Sequence, residues 1–253
     1  MERGIRIAAL SDIHGNIWAL EAALQDAKRQ GVDFIVNGGD ILSGPLEPAA
    51  TADLLMGLGL STIAGNHERQ LLACEGKPGG LSDQFAFEHV TEQHRAWLRS
   101  HPPVLELSAE VFLCHGTPSS DLVYFLEDVD RTGARVATLE SVERRAGGVR
   151  HGLILCGHSH KPRAAAISGD RLVVNAGSVG LQAYDSDQPH PHVIENGTPH
   201  ARYVVCERGS TGWSISFRCV AYDHAKAVAT ARRNGRKDWA RWLETGRAAP
   251  QDT

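Results

Sequence analysis

Short apolar runs alternate with amphipathic stretches along the first quarter of the chain. Residues 5–10, 32–37 and 60–64 have the length and apolar character of buried strands. Between them, residues 17–30 repeat apolar side chains at helical spacing, and a second helix is predicted over 47–57. This β-α-β-α-β order predicts a parallel sheet with covering helices.

The pattern becomes more varied further along the chain. Residues 82–99 are polar and helical in pattern, and an amphipathic helix is predicted over 134–147. Two further central strands are predicted at 110–114 and 152–156. After residue 160 the sequence predicts hairpins and strands, at 164–168, 171–175, 201–206 and 213–219.

Two later segments differ from the rest. Residues 183–200 are rich in Pro, Asp, Asn and His and lack periodicity, so we predict a long loop that is functional or mobile. Residues 222–244 are basic and helical in pattern. No repeat or low-complexity linker divides the chain. We therefore predict a single domain over residues 1–253, with 222–253 as a candidate C-terminal helical cap.

Composition narrows the class of protein. The chain has 253 residues, 42% of them hydrophobic and 22% charged, which is typical of a soluble globular protein. The net charge of −4 gives no general attraction to nucleic acid or to an acidic membrane. Five cysteines without a CxxC pair indicate free thiols in a reducing compartment. With no signal-peptide pattern and no long apolar run, we expect a cytoplasmic protein without membrane contact.

Metal-binding residue types directly follow five of the predicted strands. Ligands of open α/β sheets lie beyond the carboxyl ends of the strands, so these side chains are expected on one rim. Glycines flank nearly all of them and allow close approach of the backbone. In chain order, these residues are Asp12, His14, Asp40, Asn66, His67, His115, His158 and His160.

The donor types indicate the metals and the substrate. Carboxylate, imidazole and amide donors suit Mn, Fe, Zn or Ni. Two carboxylates, four imidazoles and one amide exceed the needs of one ion, and two ions with Asp40 as a bridge would each receive four ligands. Two divalent ions can clamp a phosphate. Because Asp12, Asp40 and a hydroxide leave about one positive charge, the pocket favours an anion.

The ordered motifs SDIHGN, GGD, GNHE, CHGTP and GHSHKP resemble those of the calcineurin-like metallophosphoesterase superfamily. They are most similar to its small bacterial and archaeal phosphodiesterase branch, and NAGSVG at 175–180 extends the similarity. The resemblance covers about residues 5–180. It implies an α/β fold (α+β in some schemes), a four-layer α-β-β-α sandwich with a dinuclear metal centre.

The resemblance also implies a role for each site residue. The cofactors would be two divalent ions, with manganese favoured among Mn, Fe, Zn and Ni. His67 would be the catalytic residue that is not a ligand, and Glu68 is expected to start a helix. The first ion would bind to Asp12, His14 and His160, the second to Asn66, His115 and His158, with Asp40 as the bridge.

From these roles we predict a phosphodiesterase that uses a metal-bridging hydroxide, with His67 as general acid. The substrate would be a small phosphoester, with nucleotides among the candidates. Asp40 is not followed by the Asp-Arg-Gly extension of protein phosphatases and of the diadenosine tetraphosphatase type, which argues against both. The alternatives are a phosphomonoesterase or nucleotidase, a non-catalytic protein-binding scaffold, and a nuclease.

The nuclease alternative depends on basic and aromatic residues near the C-terminus, for which an amphipathic surface helix is the simpler explanation. Nucleic acid is therefore not expected as a partner. These residues are Arg232, Arg233, Arg236, Lys237, Trp239 and Trp242.

The remaining histidines fall into two groups. Those on helical or loop stretches without partners are predicted to lie at the surface, namely His89, His94, His101, His151 and His224. Those near or within the aperiodic segment are secondary candidates for contact with substrate or metal, namely His190, His192 and His200.

Overall fold

A computed structural model of the protein describes residues 4–248, which form two five-stranded sheets, two small hairpins and eight helices. The strands are β1 (Arg6–Leu10), β2 (Phe34–Asn37), β3 (Ser61–Thr62), β4 (Val104–Ser108), β5 (Val111–Cys114), β6 (Glu127–Asp130), β7 (Gly133–Val136), β8 (Leu153–Cys156), β9 (Arg163–Ile167), β10 (Arg171–Asn175), β11 (Ala183–Ser186), β12 (His192–Glu195), β13 (Ala201–Gly209) and β14 (Gly212–Val220). The helices are α1 (Ile17–Arg29), α2 (Pro48–Leu58), α3 (Asn66–Ala73), α4 (Leu81–His89), α5 (Glu92–Arg99), α6 (Leu139–Ala146), α7 (His224–Arg233) and α8 (Lys237–Thr245).

Both large sheets combine three parallel strands with antiparallel strands, at one edge of the first sheet and at both edges of the second. The first has the order β14-β13-β1-β2-β3, with β1, β2 and β3 parallel and β13 antiparallel to β1. The second has the order β4-β5-β8-β10-β9, with β5, β8 and β10 parallel. The parallel strands of each sheet therefore end at a common edge.

Alternating side chains of β1 show how the layers stack. Ile7 and Ala9 join the apolar cluster that includes Leu113 and Leu155 of the second sheet. Ala8 and Leu10 face the other way, into a cluster with α1 and α2 side chains such as Leu20. This period of two places one sheet face on the other sheet and one on helices.

Helix α6 covers the outer face of the second sheet, where Val142 and Ala146 pack with Phe112 and Ile154. The order of layers is helices, sheet, sheet, helix. The predicted α/β class and four-layer sandwich are confirmed.

Two predicted elements are wrong. The amphipathic helix over 134–147 begins only at Leu139, because Thr138 accepts a hydrogen bond from Ser141 N as the N-cap, and residues 133–136 form β7 instead. The aperiodic segment 183–200 contains a β-hairpin rather than a continuous loop, since β11 pairs with β12. The short strands β4 and β6 were not predicted, and β3 is shorter than expected.

One surface prediction also fails. His94 is 5% exposed, because its Nε2 lies 2.9 Å from Asp53 Oδ1 and its backbone N–H is capped by Thr91.

The basic C-terminal stretch forms two helices, α7 and α8. Among residues 4–248, no helix has the length and apolar character needed to cross a membrane.

Candidate metal centre

The loops after β1, β2, β3, β5 and β8 meet at one edge of the sandwich, where the parallel strands end. Backbone hydrogen bonds join these loops, including Asp12 N to Gly39 O at 3.0 Å and His14 N to Asp40 O at 3.0 Å. The structure thereby brings together all seven residues that the sequence singled out as ligands. Six of them form two compact groups, Asp12–His14–His160 and Asp40–His115–His158, and Asn66 lies beside the second.

Within the first group the donor atoms are in close contact. His160 Nε2 lies 3.3 Å from Asp12 Oδ1 and 3.2 Å from His14 Nε2. In the second group, His115 Nε2 lies 3.0 Å from Asp40 Oδ2 and 3.2 Å from Asn66 Oδ1. Each group therefore presents oxygen and nitrogen donors to one small volume.

The opposite ring nitrogens are held by backbone carbonyls. His14 Nδ1 donates to Ser43 O at 2.8 Å, His115 Nδ1 to Gly38 O at 2.8 Å, and His160 Nδ1 to Leu181 O at 2.7 Å. Such contacts fix the tautomer and leave the Nε2 lone pair free for a metal. The Nε2 atoms of His14 and His160 then face each other at 3.2 Å, an arrangement that a cation between them satisfies. The residues present fit divalent ions.

Backbone conformation distinguishes the ligands from the rest of the chain. Six non-glycine residues in the described part have positive φ, and five are predicted ligands. Asp and His are among the residue types that tolerate this region. Positive φ turns each side chain sharply from its strand toward the common edge, at an energetic cost typical of functional sites. The five are Asp12, His14, Asp40, His158 and His160, with φ between 53° and 67°.

Close packing behind the ligands requires two glycines. A Cβ at Gly157 would lie 2.6 Å from Asp12 Oδ2, and one at Gly65 would lie 2.9 Å from His115 Cε1. These distances are shorter than carbon allows. The predicted need for close backbone approach beside the ligands is therefore met at both positions.

Burial and neighbouring charges keep two of the imidazoles neutral. Burial, with the nearby His160, lowers the pKa of His14 to about 3. Burial and His115 lower the pKa of His158 to about 4. Neutral imidazole is the form that binds metals. Burial opposes ionisation of Asp40, but His115 and His67 outweigh it and hold the pKa of Asp40 well below its usual value.

Glu68 has a larger structural role than the predicted helix start. Its buried carboxylate accepts hydrogen bonds from Gly65 N at 2.7 Å, Asp40 N at 2.8 Å and Ile41 N at 2.7 Å. The first contact forms the capping box of α3, as expected, and the other two hold the loop that carries Asp40. Burial and Asp40 together raise the pKa of Glu68 to about 6.

His67 lies beside the two groups but belongs to neither. Its backbone N–H donates to Asp40 Oδ1 at 2.9 Å, and its Nδ1 lies 2.8 Å from Asp83 Oδ1. Burial lowers the pKa of His67, but the carboxylates of Asp40 and Asp83 outweigh burial and raise it to about 9. Because Asp83 holds Nδ1, the Nε2 atom is the one left for a substrate.

Asp83 was not predicted from the sequence. It lies in the first turn of α4, within a polar helical stretch that carries no motif. The only signal was its residue type. The carboxylate of Glu68, the residue next to His67, accepts from three backbone N–H groups.

A cavity of about 890 Å³ opens beside the ligands. Its outer wall comes from four places: the start of α4, segment 122–129, the hairpin residues 184–189, and α8 with the residue before it. Tyr124 and Tyr184 join two of these places through a 2.7 Å contact between their hydroxyls. His192 completes this network, with its Nε2 2.9 Å from Tyr124 Oη.

The secondary histidine candidates lie outside the two ligand groups. Among the described residues, those groups include none of His190, His192 and His200. His192 supports Tyr124 from behind, and His200 Nδ1 lies 3.6 Å from Cys219 Sγ. Their nearest contribution to the site is through the tyrosines.

The family model for the calcineurin-like phosphoesterase superfamily domain matches residues 5–195. The chain belongs to this superfamily. It is thus a hydrolase of the metallophosphoesterase family, with two candidate metal sites and a phosphoester as the substrate that the family implies.

Two relatives match along nearly their whole length. An uncharacterized protein of Methanocaldococcus jannaschii is 25% identical over 250 residues, which is 92% of this chain and 94% of that protein. The crystal structure of a metallophosphoesterase from Sphaerobacter thermophilus is 22% identical, with a TM-score of 0.74 over 96% of this chain and 100% of that chain. This second likeness shows the fold.

Proposed function

We propose that the protein is a phosphodiesterase that hydrolyses small phosphoesters at this centre. The observation that carries the proposal is the convergence of all seven donors beside a cavity of about 890 Å³. A cavity of this size holds a drug-sized ligand. A phosphate group alone fills only a small part of it, so there is room for ester groups on both sides.

Each ion has a set of donors. We assign Asp12, His14 and His160 to one ion and Asn66, His115 and His158 to the other. Asp40 is assigned as the bridge, since its backbone carbonyl accepts from His14 N of the first group at 3.0 Å and its Oδ2 lies 3.0 Å from His115 Nε2 of the second. Manganese is the favoured ion among Mn, Fe, Zn and Ni. Bound ions supply positive charge that polarises a phosphoryl oxygen and lower the pKa of water.

His67 is the proposed general acid. Asp83 accepts the Nδ1 proton and keeps the ring in one orientation, so Nε2 faces the cavity that His67 lines. The Asp40 carboxylate fixes the backbone of His67 through the 2.9 Å hydrogen bond. From this position His67 donates a proton to the leaving oxygen, a contribution typically worth about 10²–10⁴-fold.

Residues 184–189 are the proposed source of substrate selectivity. They line the cavity together with α8, and their side chains include Asp185 and Gln188. In the described part of the chain neither of these two side chains has a hydrogen-bond or ion-pair partner. Both are therefore available to an ester group that carries hydroxyl or amide functions.

Burial of the tryptophans argues against a nuclease. Single-strand binding uses exposed aromatic faces on which bases stack. Trp239 and Trp242 are only 3% and 6% exposed, because they pack with Leu46, Leu181 and Ala183. The burial of both tryptophans agrees with the simpler explanation for the C-terminal residues, an amphipathic surface helix.

The proposal is tested with His67→Ala in metal-reconstituted protein. The variant should retain both metals by elemental analysis and lose about 10²–10⁴-fold in turnover of a diester with a basic leaving group, such as diphenyl phosphate. The matched control is His94→Ala, which removes a buried histidine paired with the exposed Asp53 (2.9 Å) away from the cavity. Turnover of His67→Ala at the parent rate would contradict the role.

A panel of phosphomonoesters, diesters and nucleotides tests the reaction class with the same protein. We expect diesters to be hydrolysed fastest. A preference for monoesters would support the phosphatase or nucleotidase alternative instead. Two bound metals without activity on any member would support the protein-binding scaffold.

A further inference from the structure

The two C-terminal helices contact the catalytic side of the molecule rather than covering it from a distance. Trp239 of α8 meets the His14 ring edge-on, with ring centroids 5.9 Å apart. Asn234, which follows α7, donates to Pro45 O at 2.9 Å. The same helices share an apolar cluster with Leu46, so they are fixed to the loop that follows Asp40.

Arg236 is the N-cap residue of α8. An arginine beside a phosphate-binding site usually directs its donors to the phosphate, but this one binds other side chains. Its Nη1 donates to Ser82 Oγ at 2.9 Å, and its Nε and Nη2 bind the Asp238 carboxylate at 3.0 Å and 2.6 Å. The guanidinium also lies over the Trp239 ring, 5.6 Å from the centroid. Most of its donors are therefore directed to the protein rather than to the cavity.

Ser82 is the residue before Asp83. Its side chain accepts from Arg236, and its backbone carbonyl accepts from Gly44 N at 3.3 Å. Gly44 follows Ser43, whose carbonyl holds His14 Nδ1. The first turn of α4 is thus anchored on one side to the residue before α8. On the other side it is anchored to the loop that follows Asp40 and holds the His14 ring.

This turn lies between an exposed segment and the buried Ala86, which anchors the next turn of α4 in the core. The connection that precedes it, residues 75–80, is exposed throughout and contains Gly76, Gly79 and Gly80. Leu81, the first residue of α4, is 75% exposed. An exposed, glycine-rich segment adjusts its conformation easily, so side-chain contacts determine where Asp83 lies.

We infer that Arg236 is a positioning residue for the catalytic step, acting through Ser82 to hold Asp83 against His67. The inference rests on the proposed general-acid role of His67. When Arg236 loses its contact with Ser82, the first turn of α4 shifts and the 2.8 Å contact between Asp83 and His67 loosens. His67 then no longer points to the leaving oxygen, and small misplacements of this kind cost up to about 10²-fold in rate.

The dependence of the rate on the leaving group distinguishes a positioning role from general destabilisation, which would lower the rates on all substrates alike. Diphenyl phosphate releases a more basic oxygen than bis(p-nitrophenyl) phosphate and so depends more on proton donation. We expect Arg236→Gln to lose about 10–100-fold in kcat on diphenyl phosphate and only a few-fold on bis(p-nitrophenyl) phosphate, with metal content and KM unchanged. Ser82→Ala, which keeps the Arg236–Asp238 pair, should show the same bias with a smaller loss.

Two comparisons make the experiment decisive. Arg232→Gln is the matched control, because this exposed arginine pairs with Glu244 on the outer side of the same helices. In an Asp83→Asn background, Arg236→Gln should add almost nothing, since both act on the same contact. Equal losses on both substrates, no loss at all, or additivity with Asp83→Asn would each overturn the inference.

The proposed function can fail separately. If His67→Ala shows no dependence on the leaving group, then His67 is not the acid. If His67→Ala shows that dependence and Arg236→Gln does not, only the positioning role of Arg236 is lost.

Discussion

The rim and the wall of the cavity are built in different ways. The rim, meaning the strand-end loops that carry the seven donors, is joined by backbone hydrogen bonds such as Gly15 N to Ile41 O at 2.8 Å. The wall, meaning the start of α4 with segment 122–129, residues 184–189 and 236–242, is joined by side chains such as Arg236, Ser82 and Tyr124. Substitutions in the rim should therefore remove metal while the fold persists, and substitutions in the wall should change substrate handling while metal is kept.

The largest effect is expected in the rim, from Asp40→Ala. Loss of the proposed bridge should lower the metal content from about two ions per chain and reduce turnover to background. Asp170→Ala is a close control, because Asp170 shares the residue type and a φ of 53° but lies in the β9–β10 turn. Full metal occupancy of Asp40→Ala by elemental analysis would remove the bridging assignment.

A smaller rim effect is expected from Glu68→Gln. The amide keeps the size of the carboxylate but binds three backbone N–H groups less well, so the loop carrying Asp40 loses support. Loss of a group that orients a ligand typically weakens metal affinity by about 10–100-fold. Titration of metal-free protein with Mn²⁺ measures the change, and activity should return at saturating metal. Unchanged affinity would mean that the backbone contacts hold the loop unaided.

Where the rim meets the wall, Gly44→Ala should displace Trp239. Gly44 has a φ of 152°, and an added Cβ would lie 2.7 Å from Trp239 Cη2. We expect about 1–3 kcal/mol of overpacking in addition to the backbone strain. Gly59→Ala gives the strain alone, since Gly59 has a φ of 59° and no atom lies within 4 Å of its Cβ position. Denaturant melts should separate the two variants. Because the same Cβ would lie 2.7 Å from His14 O, Gly44→Ala should also bind metal less well than Gly59→Ala.

The smallest effect is expected from Tyr184→Phe. This change removes one hydroxyl from the wall, worth about 0.5–1.5 kcal/mol as a hydrogen bond, so KM should rise about 2–10-fold with kcat and metal content preserved. Tyr203→Phe is the control, because Tyr203 is fully buried and bonds Asp26 at 2.7 Å away from the cavity. It should lower stability and leave KM unchanged. Metal loss in Tyr184→Phe would contradict the expectation that substitutions in the wall leave the metal in place.

The same division explains which features the sequence could predict. Each rim residue directly follows an apolar strand, so its position depends on local pattern and on one general property of parallel sheets. Asp12, Asp40 and His115 could therefore be placed from short segments alone. Asp83 and Arg236 could not, because they meet through contacts between residues 82 and 236, and nothing in either local segment records the other.

The hairpin was missed for a physical reason as well. Its strands are four residues each, and the inward position of β12 that begins the alternation is a histidine. His192 and Ile194 are buried, whereas Val193 is 47% exposed. The inward positions of β12 therefore do not show the usual apolar pattern, because one of them is a polar residue bonded to Tyr124. Burial of a polar side chain through a distant partner is not encoded in hydropathy.

The left-handed backbone at five donor positions has a consequence for the history of such a chain. Left-handed conformation costs non-glycine residues about 1–2 kcal/mol each. Glycine at His14 or Asp40 would relieve that cost and abolish a ligand in one step. Without selection for the chemistry, mutational drift toward glycine at these positions would therefore give a sturdier, inert protein.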